Sequence, residues 1–475
     1  GWLGSLRLYL YKPLGCVSAF WKWMPARKDE LMHFNKLLQM LDGSSYLSVG
    51  LDVGADFTWM SIALPNGSFP WKPFKIIHHD PYSRELAVAK IKEAQELYSL
   101  KSRCFLESTG IYHIPLLCFL RDKGLDCSVI NPIITKNSTN INIRKLHNDK
   151  FDSKKAALVG LNASLKTSII PDEDIADLRN LVRDYYYFKD LQSSVVLKLN
   201  AELKVSFPAY LKVFSKVTTQ SSLKLLGAYP LARDMLAAPG EELVGIIRST
   251  ARFGETYALS RYEAIPEAAK DAAIFGRALP SHAVRIRLYI ESYQTYQKHL
   301  DTLLLALHEA VDRLHGTPVY DRICLLQSLR GVGFLSAVVL MAEMGDFDLF
   351  SSPKKLYAYF GLDPAVKQSG KLNGDKVHMS KRGSSLARRV LHMVALNNLK
   401  VDKGTKTPVN PVIYNYYTGK CANKKKNVAV GAVMHKICNI IFAMLRDNKP
   451  FEIIPPEVHC KQYVLNHTAS VTNAA

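Results

Sequence analysis

Hydrophobic and polar positions change rhythm along this chain, and the change divides it. YLSVGLDV (46–53) reads as a buried strand, FTWMSIAL (57–64) alternates as a second, and FKIIHH (74–79) makes a third. Residues 83–99 carry helical spacing. SRCFLES (102–108) is a further strand, 112–122 a helix, and DCSVIN (126–131) a last strand stopped by Pro132. Three strands, then helix and strand in alternation, predict an α/β domain with a mixed sheet.

After Pro171 the period becomes helical throughout. Leu178, Val182, Tyr185, Val196, Leu199 and Leu203 fall on one stripe. Ser281 to His315 contains no Gly or Pro, and Ile286, Ile290, Tyr293, Leu300, Leu304, Leu307, Val311 and Leu314 recur at spacings of three and four. Gln297 breaks that seam. The register runs for about four heptads, as in a coiled coil. Two long helices flanking a loop-rich segment over 208–280 predict an antiparallel arm or a dimerising coiled coil. Periodicity alone equally allows two core helices of a bundle. LQSLRGVGFLSAVVLMAEMG (326–345) reads as helix, tight turn at Gly331 and Gly333, helix. A helix-hairpin-helix of that kind offers backbone N–H groups to a phosphate at its second helix start, although an ordinary helical hairpin has the same pattern.

The expected organisation is an extension over 1–45, a metal domain over 46–170, a helical arm over 171–318, a helical domain over 319–449 and a tail over 450–475. The first thirty residues are aromatic, basic and broken by Pro13 and Pro25, and Met32 follows. They predict a weakly structured extension, or translation from an upstream start, in preference to a targeting signal. No segment offers 18 uncharged apolar residues, so no membrane partner is expected.

Composition changes this picture in two ways. Lys and Arg number 62 against 42 Asp and Glu, a net charge of +20. Such an excess favours a polyanionic partner, nucleic acid first. The eight cysteines include no CxxC pair and no Cys/His cluster at zinc spacing, which argues for a reducing compartment and against structural zinc or a disulfide framework.

Against that basic background four acids stand out. Asp52 lies near the end of the first strand in LDVGAD, and Glu107 ends another in FLESTG. Chemistry in α/β sheets gathers at strand ends. Asp149 and Asp152, in HNDKFDSKKA, are three residues apart and would share one helix face. Singly, each is a turn residue or an acid at a helix start. Converged, the four would repel one another unless two divalent cations, Mg2+ or Mn2+, lay between them. Such ions stabilise the attacking and leaving oxygens of a phosphoryl transfer.

The motifs LDVGAD, ESTGIY, VINP and NDKFDSKKA resemble the RuvC-like, RNase H-like domain of the DEDD transposases of the insertion-sequence-110 family, with Piv-type DNA invertases among its relatives. His147 stands where that family commonly has Lys. FGLDPAVKQSGKLNGDKVHMSKRGSSLARRVLHMVAL (360–396) resembles the signature of the family's second domain, and Ser369 matches its catalytic serine. Lys367, Lys381, Arg382, Arg388 and Arg389 are the candidate cations beside it, with Gly331 and Gly333 as a further nucleic-acid contact. KCANKKKN (420–427) reads as a solvated, phosphate-contacting loop. The likeness covers about 46–165 and 320–445.

The resemblance implies an RNase H-like metal domain, coiled-coil helices and a helical serine domain. It implies a homo-oligomer, dimer or tetramer, whose active site combines domains of different protomers. It further implies a transient serine–DNA phosphodiester, guidance by an element-encoded structured RNA, and work at the nucleoid of a bacterial or archaeal cell. Two rivals stand beside it: a RuvC-like, structure-selective nuclease in which Ser369 is dispensable, and a silent nucleic-acid-binding remnant of a transposon.

Overall fold

The computed structural model describes residues 46–108, 111–130, 149–161, 172–250, 254–365, 368–369, 372–373, 378–454, 457–458 and 460–461. The predicted extension over 1–45, Pro132, His147, Lys367 and the end of the tail lie outside the described residues. The chain divides between Ile170 and Pro171 into two units.

The first unit contains β1 (Leu47–Val53), β2 (Phe57–Ala63), β3 (Phe74–Ile77), α1 (Pro81–Tyr98), β4 (Ser102–Glu107), α2 (His113–Asp122), β5 (Asp126–Ile130) and α3 (Asp149–Gly160). The strand order is β3-β2-β1-β4-β5. Short connections join β1, β2 and β3, which pair antiparallel. Helices precede β4 and β5, so these return parallel, to β1 and to β4. This is the predicted mixed sheet, and it fits an RNase H-like domain. Leu47, Val49 and Leu51 turn one face of β1 into a core shared with Ala87, Ile91 and Ala94 of α1 and Leu116, Leu117 and Leu120 of α2. The opposite face of β1, Ser48 and Gly50, receives α3.

The second unit begins with α4 (Glu173–Ser206); after α5 (Tyr210–Val213), α6 (Gln220–Ala228), α7 (Ala232–Ala237), α8 (Gly240–Thr250) and α9 (Gly254–Phe275), α10 (Pro280–Arg313) returns. α4 and α10 have 34 residues each, about 51 Å at the helical rise. They pair antiparallel along their length, cross-linked by Arg313–Asp177, Gln192–Gln297 and Arg285–Glu202. Gln297, which breaks the hydrophobic seam, finds its reason here: buried Gln192 donates to its side-chain oxygen at 2.9 Å. A part-buried amide pair of this kind favours one alignment of the two helices.

The stretch over 208–280 differs from expectation. It is not loop-rich; five helices of 4 to 22 residues enclose, together with the facing ends of α4 and α10, a core around Phe207, Tyr210, Phe214, Leu226 and Ile247. Proline, glycine and serine here punctuate short helices where the pattern suggested loops; Thr219, for example, caps α6 through Ser222 N.

The remaining elements are α11 (Pro318–Ser328), α12 (Phe334–Met344), a 3-10 turn (Phe347–Leu349), α13 (Pro353–Tyr359), β6 (Gln368–Ser369), β7 (Leu372–Asn373), α14 (Ser385–Asn398), α15 (Pro411–Thr418) and α16 (Lys426–Asp447). α12 is buried from Ala337 to Met344, which explains its unbroken apolar run. α16 is long and apolar enough, by length and composition, to cross a membrane. Its Val430, Val433, Ile437, Cys438, Ile441 and Phe442 are buried in the core that it shares with α12 and α14.

Candidate active site

Small side chains build the first part of the site. α3 presents Ser153, Ala157 and Gly160 to the sheet, all buried. A Cβ on Gly50 would overlap Ala157 N and Ser153 O, and one on Gly160 would overlap Phe105 and Ser48. The helix therefore lies almost on the backbone of β1. Ser48 Oγ donates to Ala157 O at 2.6 Å, Tyr46 OH donates to Gly160 O at 2.5 Å, and the hydroxyls of Ser61 and Ser153 meet at 2.8 Å. Gly160 near Tyr46 and Ser153 near Ser61 make α3 antiparallel to β1. Its first turn, with Asp149 and Asp152, thus lies at the strand end that carries Asp52.

Glu107 arrives by register. Leu51 pairs with Leu106 in the parallel β1–β4 ladder, so the next residues, Asp52 and Glu107, end neighbouring strands. The electrostatics agree. The Asp52 carboxyl is raised from 3.8 to about 6, first by burial, then by the negative charges of Asp152, Asp149 and Glu107, while Lys155 pulls it down. All four predicted acids therefore share one neighbourhood. Two cations come with them that the sequence reading did not single out. Lys155 Nζ holds Asp152 Oδ1 at 2.7 Å. Lys150 Nζ stands 4.7 Å from the ring centroid of Trp59, the residue paired with Asp52 across the β1–β2 ladder. Their signal was the run of lysines around Asp149 and Asp152, which reads as simple solvation.

Hard carboxylate oxygens in such a set suit Mg2+ or Mn2+. Among the described residues no three His, Cys, Asp or Glu side chains close around one point, so the four acids gather without forming a finished cage.

The predicted serine belongs to the second unit. Ser369 pairs with Leu372 in the β6–β7 ladder, so Gly370 and Lys371 separate the paired residues; its side chain lies outside the described residues. The base of this hairpin is closed by Ala365 N to His378 O at 2.7 Å, Ser380 N to Asp363 O at 2.7 Å and Lys381 N to Gly361 O at 3.1 Å. The Ser380 hydroxyl also donates to the Asp363 carboxylate.

Of the predicted cations, Lys381 and Arg382 are exposed beside that base. Arg388 and Arg389 are engaged within the protein: Arg388 Nη1 donates to Phe360 O and Gly383 O, and Arg389 pairs with both oxygens of Asp190. Gly331 holds φ +81° in the turn between α11 and α12, and a Cβ there would press on the Asn398 amide. Asn398, fully buried, donates to Arg330 O at 2.7 Å and accepts from Asn410 at 2.9 Å. This turn is thus pinned from behind, while Gly333 caps α12 with no side chain. Lys420, Lys424 and Lys425 are exposed ahead of α16, and Lys426 is exposed as its first residue.

Two family profiles match the chain. One, a transposase profile of the DEDD type from the IS110 group, spans residues 49–208 and so all four acids. The other, described as transposase IS116/IS110/IS902 family, spans 324–410 and includes Ser369. The chain belongs to the IS110 family of transposases. Among the family's proteins, the 43.6 kDa protein of insertion element IS110 from Streptomyces coelicolor is 29% identical over 130 residues, 27% of this chain and 30% of that protein. The 42 kDa protein of insertion element IS900 from Mycobacterium paratuberculosis is 24% identical over 307 residues, 63% of this chain and 72% of that protein. The pilin gene-inverting protein of Moraxella bovis is 26% identical over 170 residues, 35% of this chain and 51% of that protein. This chain spans about half or less of the length of most of the curated relatives it matches. A DEDD domain in an IS110-family transposase points to dependence on a divalent metal.

Proposed function

We propose that this protein is the recombinase of a mobile element, cutting and rejoining DNA through Ser369 with help from a carboxylate-bound metal pair. The observation that carries the reading is the gathering of Asp52, Glu107, Asp149 and Asp152 at one strand end, expressed in the raised Asp52 carboxyl. Four acids gathered in a protein of net charge +20, with the Asp52 carboxyl raised by burial and by the other three, need a reason, and bound cations supply one.

In this reading the four carboxylates would hold two Mg2+ or Mn2+ ions, which supply charge neutralisation at the phosphate oxygens. Lys155 keeps Asp152 partnered and oriented. Lys150, over Trp59, adds positive charge beside the residue paired with Asp52. Ser369 Oγ loses its proton and forms a bond to phosphorus, while the bond from phosphorus to one strand oxygen breaks and that oxygen takes up a proton. The serine phosphodiester conserves the energy of the broken link, so a strand hydroxyl can reverse the step on a new partner and release the serine. Lys367, Lys381 and Arg382 are the cations assigned to the phosphates around Ser369. The turn at Gly331 and Gly333 and the lysines over 420–426 are assigned to DNA backbone. A homo-oligomer with domains of different protomers at one site, and a structured guide RNA encoded by the element, complete the proposal.

The test uses the full chain with Mg2+ and a nicked DNA duplex carrying the element ends. Wild type is expected to give a protein–DNA band on a denaturing gel. Ser369→Ala should keep DNA binding and lose the band and strand exchange; Asp149→Asn should stay folded and lose cleavage. Full cleavage by Ser369→Ala, with no adduct in wild type, would leave the metal-dependent nuclease. Sequencing of co-purified RNA tests guidance: a single structured species from the flanking DNA is expected, and random cellular RNA counts against it.

A further inference from the structure

Arg388 and Arg389 are adjacent on the first turn and a half of α14, yet they point to different tasks. Arg388 is half-buried. Its Nη1 donates to Phe360 O at 3.0 Å and to Gly383 O at 2.7 Å. Those two carbonyls stand on either side of the serine hairpin: Phe360 precedes its outgoing leg and Gly383 ends its return. The legs are so close there that a Cβ on Gly383 would overlap Tyr359 O, and one on Gly361 would press on Arg382 N and Gly383 N. Gly361 takes φ +72°, which favours glycine. One guanidinium nitrogen therefore closes the base of the loop that carries Ser369.

Arg389 reaches the other way. It makes a two-pronged pair with Asp190 of α4, at 2.8 and 2.9 Å, and its guanidinium lies 4.8 Å from the Tyr186 ring centroid on the same helix. A second fork lies beside it: Arg183 of α4 grips the buried carboxylate of Glu343 on α12 at 2.8 and 3.1 Å. α4 is one of the two long arm helices.

We propose that Arg388 and Arg389 form a two-headed brace that fixes the Ser369 hairpin to the arm, and that both are positioning residues and not phosphate contacts. The proposal rests on Ser369 acting as the nucleophile only for its catalytic consequence; the brace itself is read without catalysis. The nitrogens already committed, Nη1 of Arg388 to two backbone carbonyls and both Nη of Arg389 to Asp190, would have to give up those partners to hold a phosphate themselves. Lys381 and Arg382, at the exposed side of the same base, have no such engagement among the described residues.

The experiment compares wild type with Arg388→Ala, Arg388→Lys, Arg389→Ala and Asp190→Asn in the full chain. Hydrogen exchange at the amides of Ala365, Ser380 and Lys381 reports the hairpin base. Arg388→Ala should speed exchange there by about tenfold or more while the middle of α16 keeps its protection, a local opening and not unfolding. Arg388→Lys should recover part of the protection, because an ammonium can still bridge two carbonyls. Arg389→Ala and Asp190→Asn should act alike, and combining them should add little.

Binding to a random-sequence DNA duplex is then followed against salt. The slope of log affinity on log salt should stay unchanged in Arg388→Ala and Arg389→Ala; a drop of about 0.9 would mark a lost phosphate contact and overturn the proposal. Unchanged exchange at all three amides in Arg388→Ala would overturn it equally. The rate of adduct formation should fall about tenfold or more in Arg388→Ala at unchanged DNA affinity. If wild type forms no adduct, the nucleophile assignment fails by itself, and the brace is decided by exchange and salt slope alone.

Discussion

At the scale of single residues, Asp52 carries the clearest consequence. Its carboxyl is raised from 3.8 to about 6, by burial first and by three neighbouring acids next. A carboxylate raised on folding binds its proton more tightly in the folded than in the unfolded chain. Its ionisation therefore costs stability: the loss begins as pH rises past 3.8 and is complete above about 6. Asp52→Asn removes this cost. In EDTA, the melting temperature of the Asn variant should exceed that of wild type near neutral pH, and the gap should close as pH falls from 6 towards 4. A gap that does not depend on pH would place the Asp52 charge outside the acid cluster. The same ionisation makes the site a better cation ligand above about pH 6, so divalent binding should strengthen through that range.

At the scale of elements, the contact of α3 with β1 decides whether the acids meet at all. Bulky residues would hold the helix off the strand; Ser48, Gly50, Ser153, Ala157 and Gly160 remove that standoff. Gly50→Ala adds one methyl where Ala157 N and Ser153 O already sit. It should cost about 1–3 kcal/mol in urea unfolding, the usual range for overpacking. It should also weaken Mg2+ binding, measured by calorimetry, because the first turn of α3 shifts with Asp149 and Asp152. Unimpaired Mg2+ binding in a destabilised variant would show that the site tolerates movement of the helix.

At the scale of the whole molecule, net charge is the relevant property. An excess of +20 should make nucleic-acid affinity fall steeply with salt, by roughly 10³-fold or more between 50 and 200 mM if six or more phosphates are contacted. Fluorescence anisotropy on a duplex would read this; a nearly flat dependence would mean that the positive charge is not in the interface.

The strands were legible because their signal is local. Alternation and turn residues mark β1, β2, β3, β4 and β5 to within a residue or two, and the hairpin-then-crossover order predicts a mixed sheet. The long periods of α4 and α10 were equally readable, and Gln297 announced itself as a break. The helices over 210–275 were not, because short capped helices and loops share the same punctuation, and only the core around Tyr210 tells them apart. For the acids, sequence and likeness to a known family supplied the four residues, but their meeting rests on long-range facts. The parallel register sets Asp52 beside Glu107, and the stripe of small residues, bland on paper, lets α3 lie on the strand. Ser369 was named by resemblance alone, whereas Arg388 and Arg389 read as two more cations until the fold gave each its partners. Sequence alone determined which chemical groups this protein carries and the local periods that form its elements. Tertiary structure decided which groups share an environment, because charge, burial and hydrogen-bond partners depend on distance in space and not along the chain.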